Sequence, residues 1–316
     1  VGGEVSFQAT HRTFEPSSLF RGSTTLFRQA QQLENRKSLN HARMHHFRNW
    51  SFVFCLFIIC SSFVAAQQVR GWETGAWIGG SNYFGDLNTN WRLNRAHLAG
   101  GLAARYNLND RLCVRFGASY GKISAADKDS KNVYEQRRNL DFRSILLDGT
   151  AQLEFNFLPY IHGHRDYFYT PYMFAGPSAF YFDPRTDYNG DVVRLSGLGT
   201  EGQFKGEEYN TFQGGIAYGM GFKCDLSYRW SVNIEFSARK IFTDYLDDVS
   251  GVYADPRDIK SLRGELAVAL ADRSTEPKIG VQGRQRGNGK SNDSYMFLGV
   301  GLMYYFGNIR CPQMSN

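Results

Sequence analysis

The stretch that decides the fold is Ser294–Phe306, SYMFLGVGLMYYF. Taken two residues at a time, it places Met296, Leu298, Val300, Leu302, Tyr304 and Phe306 on one face and Tyr295, Phe297, Gly299, Gly301, Met303 and Tyr305 on the other. That period of two belongs to a strand. The run is too short and too glycine-rich for a membrane helix, but it has about the length a tilted strand needs to cross a bilayer. By itself it fits a soluble sandwich equally well, so the rest of the chain has to decide.

Working outward, the same alternation recurs in seven earlier segments: Trp72–Phe84, His97–Tyr106, Leu112–Tyr120, Leu140–Leu158, Phe168–Phe182, Thr211–Lys223 and Trp230–Phe242. The connections after the second, fourth and sixth are short. Those after the first, third, fifth and seventh are long and rich in Asp, Asn, Gly and Lys. Loops sorted by length in this way belong to an all-β fold of outer-membrane type: an eight-stranded antiparallel transmembrane β-barrel with short periplasmic turns and long extracellular loops. Trp72, Tyr106, Tyr120, Tyr172, Trp230 and Tyr304 near the strand ends are placed as interface aromatics. The last long loop contains one stretch with helical character, Asp258–Ala271.

The faces also sort the charges. With the polar faces turned inward, Glu73, Asp148, Glu154 and Glu235 share the lumen with Arg105, Arg115, Lys223 and Arg239. Eight strands enclose a space that side chains can fill, and unpaired charge there is costly. The expectation is an ion-pair core rather than a conduction path. No separate channel function follows.

The beginning of the chain reads differently. Residues 1–43 are polar and without sustained periodicity. Met44 opens a signal-peptide layout of basic start, apolar core SFVFCLFIICSSFV and small residues before Gln67. The expected organisation is an upstream extension at 1–43, not translated in vivo, a signal peptide at 44–66, a barrel at 67–306 and a periplasmic tail at 307–316. Cys60 lacks the small residues a lipoprotein signal requires before it. Residues 1–66 hold seven Lys/Arg and three Asp/Glu, so 29 remain against 27 and the formal charge falls from +6 to +2. Nucleic-acid binding loses its electrostatic basis.

Three cysteines follow residue 66. Cys113 and Cys224 lie on non-neighbouring strands, one facing in and one out, so no bridge joins them. Cys311 lies past the last strand in an oxidising compartment, with either a free thiol or an intermolecular disulfide as its expected state. Catalysis is not expected. Asp127, Asp129, Asp244, Asp247 and Asp248 could form an acidic rim, but the sequence pairs no histidine with them. It also specifies no serine near His97. These aspartates are read as turn formers and caps. His162 and His164 are read as a solvated turn rather than a metal site, and Gly219-Met220-Gly221 as space in the lumen rather than a phosphate loop. No cofactor is expected.

Several strings go further. GGSNYFGDL at 79–87, NLDFRS at 139–144, YTPYMFAG at 169–176, TDYLDDVSGVY at 243–253 and Cys311-Pro312 resemble the PorG type of outer-membrane barrel, part of the type IX secretion and gliding machinery of Bacteroidetes. The resemblance implies a non-enzymatic role in protein export and a loop motif at Asp244, Tyr245, Asp247 and Asp248. It also implies association with a periplasmic ring of the lipoprotein PorK and its partner PorN, with Cys311 and Pro312 in the tail as the contact to examine. A structural barrel of the OmpA kind and an outer-membrane hydrolase are the alternatives.

Overall fold

The computed structural model describes residues 71–307. The extension, the signal peptide, Gln67, Cys311 and Pro312 lie outside the described residues.

Nine strands follow in order: β1 (Gly71–Phe84), β2 (His97–Asn107), β3 (Leu112–Ala126), β4 (Asp141–Asn156), β5 (Tyr169–Tyr188), β6 (Asp191–Arg194), β7 (Phe212–Asp225), β8 (Trp230–Ile241) and β9 (Ser294–Tyr305). Eight of them run antiparallel in the order β4-β3-β2-β1-β9-β8-β7-β5, and β4 pairs with β5 to close the barrel. The seam joins β1 to β9 from Glu73↔Tyr305 to Phe84↔Ser294. β6 is a four-residue arm paired to the far end of β5.

The alternation becomes two surfaces. Ile78, Leu98, Leu102, Met220, Ile234 and Leu298 stand exposed on the outer wall, while Glu73, Arg105, Glu154 and Lys223 are buried inside. A continuous apolar exterior around a polar interior is the arrangement of a barrel solvated by lipid. No helix among the described residues is long and apolar enough to cross a membrane. Tyr172 departs from its expected place in the interface belt. It shares a parity with Phe174 and Phe180 and is buried in the lumen.

The turns are set by side chains. Asn109 Oδ1 accepts from the amides of Arg111 and Leu112 at 2.8 and 2.7 Å, folding the β2–β3 turn tightly. At the other end, β3 and β5 run past their expected limits at Tyr120 and Phe182. The inner face there stays apolar through Ile123, Ala125, Phe142 and Phe182, which pack with Leu87, Leu246, Val249 and Leu270 from the loops. Burial continues, so the ladder continues.

The long loops carry helices α1 (Val133–Arg138), α2 (Pro256–Arg263) and α3 (Glu265–Ala271). The single helical stretch expected at Asp258–Ala271 is two helices. Gly264 between them has φ of 88°, a left-handed value that breaks the helix. α1 is capped by Asn132, whose side chain accepts from the Tyr134 amide.

Candidate functional site: a filled lumen between two plugs

All eight predicted lumen charges are inward and paired. Arg105 bridges two strands, with Nη1 2.8 Å from Glu73 Oε2 and Nε 2.9 Å from Glu154 Oε2. Lys223 Nζ reaches the other oxygen of Glu154 at 2.6 Å. Further along the axis, Arg115 grips Glu235 through both terminal nitrogens, one at 3.1 Å. Arg239 Nη2 meets Asp148 Oδ2 at 2.7 Å. Charge-assisted bonds of this kind offset the desolvation of burying each ion. Aromatic faces supply the rest of the coat: Lys223 lies 4.7 Å from the Tyr160 ring centroid and Arg239 4.7 Å from that of Phe297. A cavity of about 20 Å3 remains beside Arg115, Gln152, Asn233 and Glu235, room for about one water.

The glycines of Gly219-Met220-Gly221 belong to this packing. A Cβ on Gly219 would stand 2.6 Å from the Phe174 ring, and one on Gly221 2.5 Å from that of Tyr172. Tyr172 in turn donates to Glu235 at 2.8 Å.

At the turn end the structure corrects the reading of His162. This residue is buried, not solvated. The β4–β5 turn folds inward, with the Tyr160 amide donating to Asp110 O at 2.9 Å. His162 then stacks on Tyr305 at 4.3 Å between centroids and sits between two carboxylates, Nε2 3.0 Å from Glu73 and Nδ1 2.9 Å from Asp225. Burial alone would lower its pKa, but Asp225 and Glu73 outweigh it and raise the value to about 9. His164 stays outside and accepts from the Asp166 amide. The two histidines form no joint site.

The loop end holds the motif residues. Leu246 and Val249 enter the apolar core. Asp247 accepts from the Tyr83 hydroxyl at 2.6 Å and from the Val249 amide at 2.9 Å. Asp248, at φ of 69°, accepts from Tyr209 and Thr200, both at 2.7 Å. Tyr245 stacks on Tyr209 at 4.9 Å. Arg286 locks the cap from behind, donating to Glu201 Oε1 at 2.9 Å and Asp248 O at 2.5 Å. Burial raises the pKa of Asp244 to about 7 and that of Asp248 to about 6.

The other acids divide between loop contacts. Asp127 pairs with Arg138 at 2.7 Å and accepts from the Leu140 amide, while Asp129 pairs with Arg95. The sequence names no serine for His97, yet the β2–β3 pairing supplies one: Ser124 Oγ lies 2.7 Å from His97 Nε2. Among the described residues no carboxylate meets the other ring nitrogen, so the orienting group of a hydrolytic triad is missing. Cys113 and Cys224 are both free; the Cys113 thiol donates to Asn107.

Sequence reasoning missed Asp225, Glu201, Arg286, Arg138 and Asp293 as structural partners. The motif strings held part of the signal. Tyr83 and Asp86 from GGSNYFGDL, Phe142 from NLDFRS and Asp247 from TDYLDDVSG meet in one place. The Tyr83 and Phe142 rings pack edge to face at 4.9 Å, and Asp86 Oδ2 accepts from the Asn288 amide.

Among solved structures, the chain is similar to the attachment invasion locus protein Ail of Yersinia pestis at 10% identity, covering 75% of this chain and 99% of that one, with a TM-score of 0.38. It is similar to Neisserial surface protein A at 10% identity, 74% and 97% coverage and a TM-score of 0.36. OprG of Pseudomonas aeruginosa stands at 12%, 77% and 99%, with 0.35. The eight-stranded closure rests on the strand register itself. No curated relative matches the sequence. Residues 49–266 match the family described as a domain of unknown function, DUF6089, and the chain belongs to that family.

Proposed function

We propose that the protein is an outer-membrane barrel component of the type IX protein secretion apparatus. It anchors or assembles the periplasmic PorK/PorN ring, with its loops outside the cell and both termini in the periplasm. The observation that supports this reading is the convergence of three of the resembling strings at the loop-end cap, through Tyr83, Phe142 and Asp247. A lumen filled with paired charges suits an anchor rather than a conduit. The tail beyond Phe306 carries the ring contact, with an intermolecular disulfide at Cys311 beside Pro312.

Affinity purification of the native protein tests this directly. Recovery of PorK and PorN is expected, and their absence under cross-linking overturns the ring assignment. Non-reducing electrophoresis of wild type against Cys311→Ser tests the disulfide; identical migration removes it.

The second reading is a structural barrel of the OmpA kind. The sealed, internally neutralised lumen favours it as much, because such a core needs no partner. Deletion separates the two. Lost cargo export with an intact membrane supports the first, and leaky cells with normal export support the second.

A further inference from the structure

The register on the outer wall lays side chains in rows across β3, β4 and β5. Tyr120, Leu147 and Tyr181 form one row. Two residues nearer the loops lie Lys122, Ile145 and Asp183, and two beyond those Ser124, Arg143 and Arg185. Arg194 of β6 stands opposite Arg185. Two residues of strand advance about 6.6 Å, so the cations begin one step past an aromatic row. On a membrane barrel that step leads from acyl chain to headgroup, where aromatic belts sit.

Lys122, Arg143 and Arg185 line an open groove of about 440 Å3 together with Ile145, Asp183 and His97. Arg185 and Arg194 both hold Asp183, at 2.6 and 2.8 Å. Arg143 reaches Asp187 at 2.6 Å in a pair with both side chains at least half exposed. Lys122 has no acidic partner among the described residues. Four cations thus face two carboxylates, a surplus of two positive charges on a wall whose next row is apolar. An exposed ion pair is worth little, so Arg143 can trade Asp187 for a phosphate oxygen at small cost.

We propose that this groove binds an anionic phosphate-bearing lipid in the leaflet at the loop end. The phosphate lies among Lys122, Arg143 and Arg185, and the acyl chains run down the Tyr120, Leu147 and Tyr181 row. Guanidinium forks and an unpaired ammonium match phosphate oxygens, and the adjoining hydrophobic row favours a lipid over a free ion. The site stands independently of any role in secretion.

The test uses the full chain in nanodiscs of phosphatidylcholine doped with phosphatidylglycerol, with retained lipid read by native mass spectrometry. Wild type retains phosphatidylglycerol preferentially. Lys122→Gln with Arg143→Gln weakens that retention roughly thirtyfold, from about a fivefold loss for each of the two charges removed at a membrane surface. Heat-modifiable gel mobility confirms that the variant is folded. Equal retention of the two lipids by wild type, a readout that needs no variant, overturns the proposal, as does equal retention by wild type and variant. Displacement of phosphatidylglycerol by millimolar inorganic phosphate assigns the site to free phosphate and also overturns the lipid.

Discussion

Asp247 and Asp293 close on the same phenol oxygen, at 2.6 and 2.8 Å from Tyr83 Oη. A phenol has one proton to give. It can donate to only one of the two, so the second contact requires a carboxyl that carries its own proton and donates back. The environment agrees: burial first, and then neighbouring acids, raise the pKa of both aspartates well above the usual range.

This pair makes the cap sensitive to pH. Asp244 at about 7, Asp248 at about 6 and the raised Asp247 and Asp293 all titrate higher folded than unfolded. Their contribution is fully present below pH 4 and is lost as pH rises through the folded values. Hydrogen exchange across residues 243–251, corrected for intrinsic rate, should therefore quicken between pH 5 and pH 8 while the barrel strands hold. Asp247→Asn, neutral at every pH, should flatten the response; an unchanged slope would contradict the shared proton.

Glu154 neutralises both Arg105 and Lys223. Glu154→Ala strands the buried Lys223, leaves Arg105 with Glu73 alone, and should cost about 3–5 kcal/mol, the range for breaking a buried pair by removing one partner. Urea titration in lipid vesicles reads this as a lowered midpoint. Removing Asp187 from its exposed pair with Arg143 should cost less than about 1 kcal/mol.

The turn-end plug should weaken in alkali. His162 is raised to about 9, so its stabilisation is complete below about 6.5 and disappears as pH passes 9. Imidazole resonances should titrate near 9, and His162→Leu should make the β4–β5 turn cleavable by trypsin at exposed Arg165 at pH 8. A titration near 6.5 would mean that the ring is not between Glu73 and Asp225.

Lumen glycines should tolerate nothing larger. Gly221→Val drives carbon against the Tyr172 ring and the Ile234 carbonyl, the latter 2.7 Å from a Cβ. Overpacking of this sort costs about 1–3 kcal/mol and should reduce refolding yield. Gly149→Ala on the outer wall meets nothing closer than 3.8 Å and should leave the yield unchanged.

The barrel was legible because its signal is local. A side chain's face follows from its parity, and parity alone places Glu73, Arg105, Asp148 and Arg239 inside. Which charge meets which is a property of closure. Arg239 and Asp148 are 91 residues apart and meet only once β8 and β4 belong to one cylinder. Ser124 beside His97 needs only the β2–β3 hairpin, but it depends on β3 running past Tyr120. His162 was misread because a short polar turn carries no mark of folding inward; its partners Glu73 and Asp225 lie 89 and 63 residues away, so the local pattern is that of any solvated turn. The cap residues were visible as specific strings, but not as neighbours of one another.

The seam between β1 and β9 has a consequence for assembly. Tyr83 sits one position from the last residue pair of that seam, opposite Tyr295, and Asp293 immediately precedes β9. Only when the final strand has zipped onto the first does the carboxyl of Asp293 arrive at the phenol where Asp247 is waiting. Completion of the cylinder and locking of its outer cap are therefore one event. A chain whose last strand is still unpaired presents an unlatched mouth, a chemical mark by which an unfinished barrel differs from a finished one.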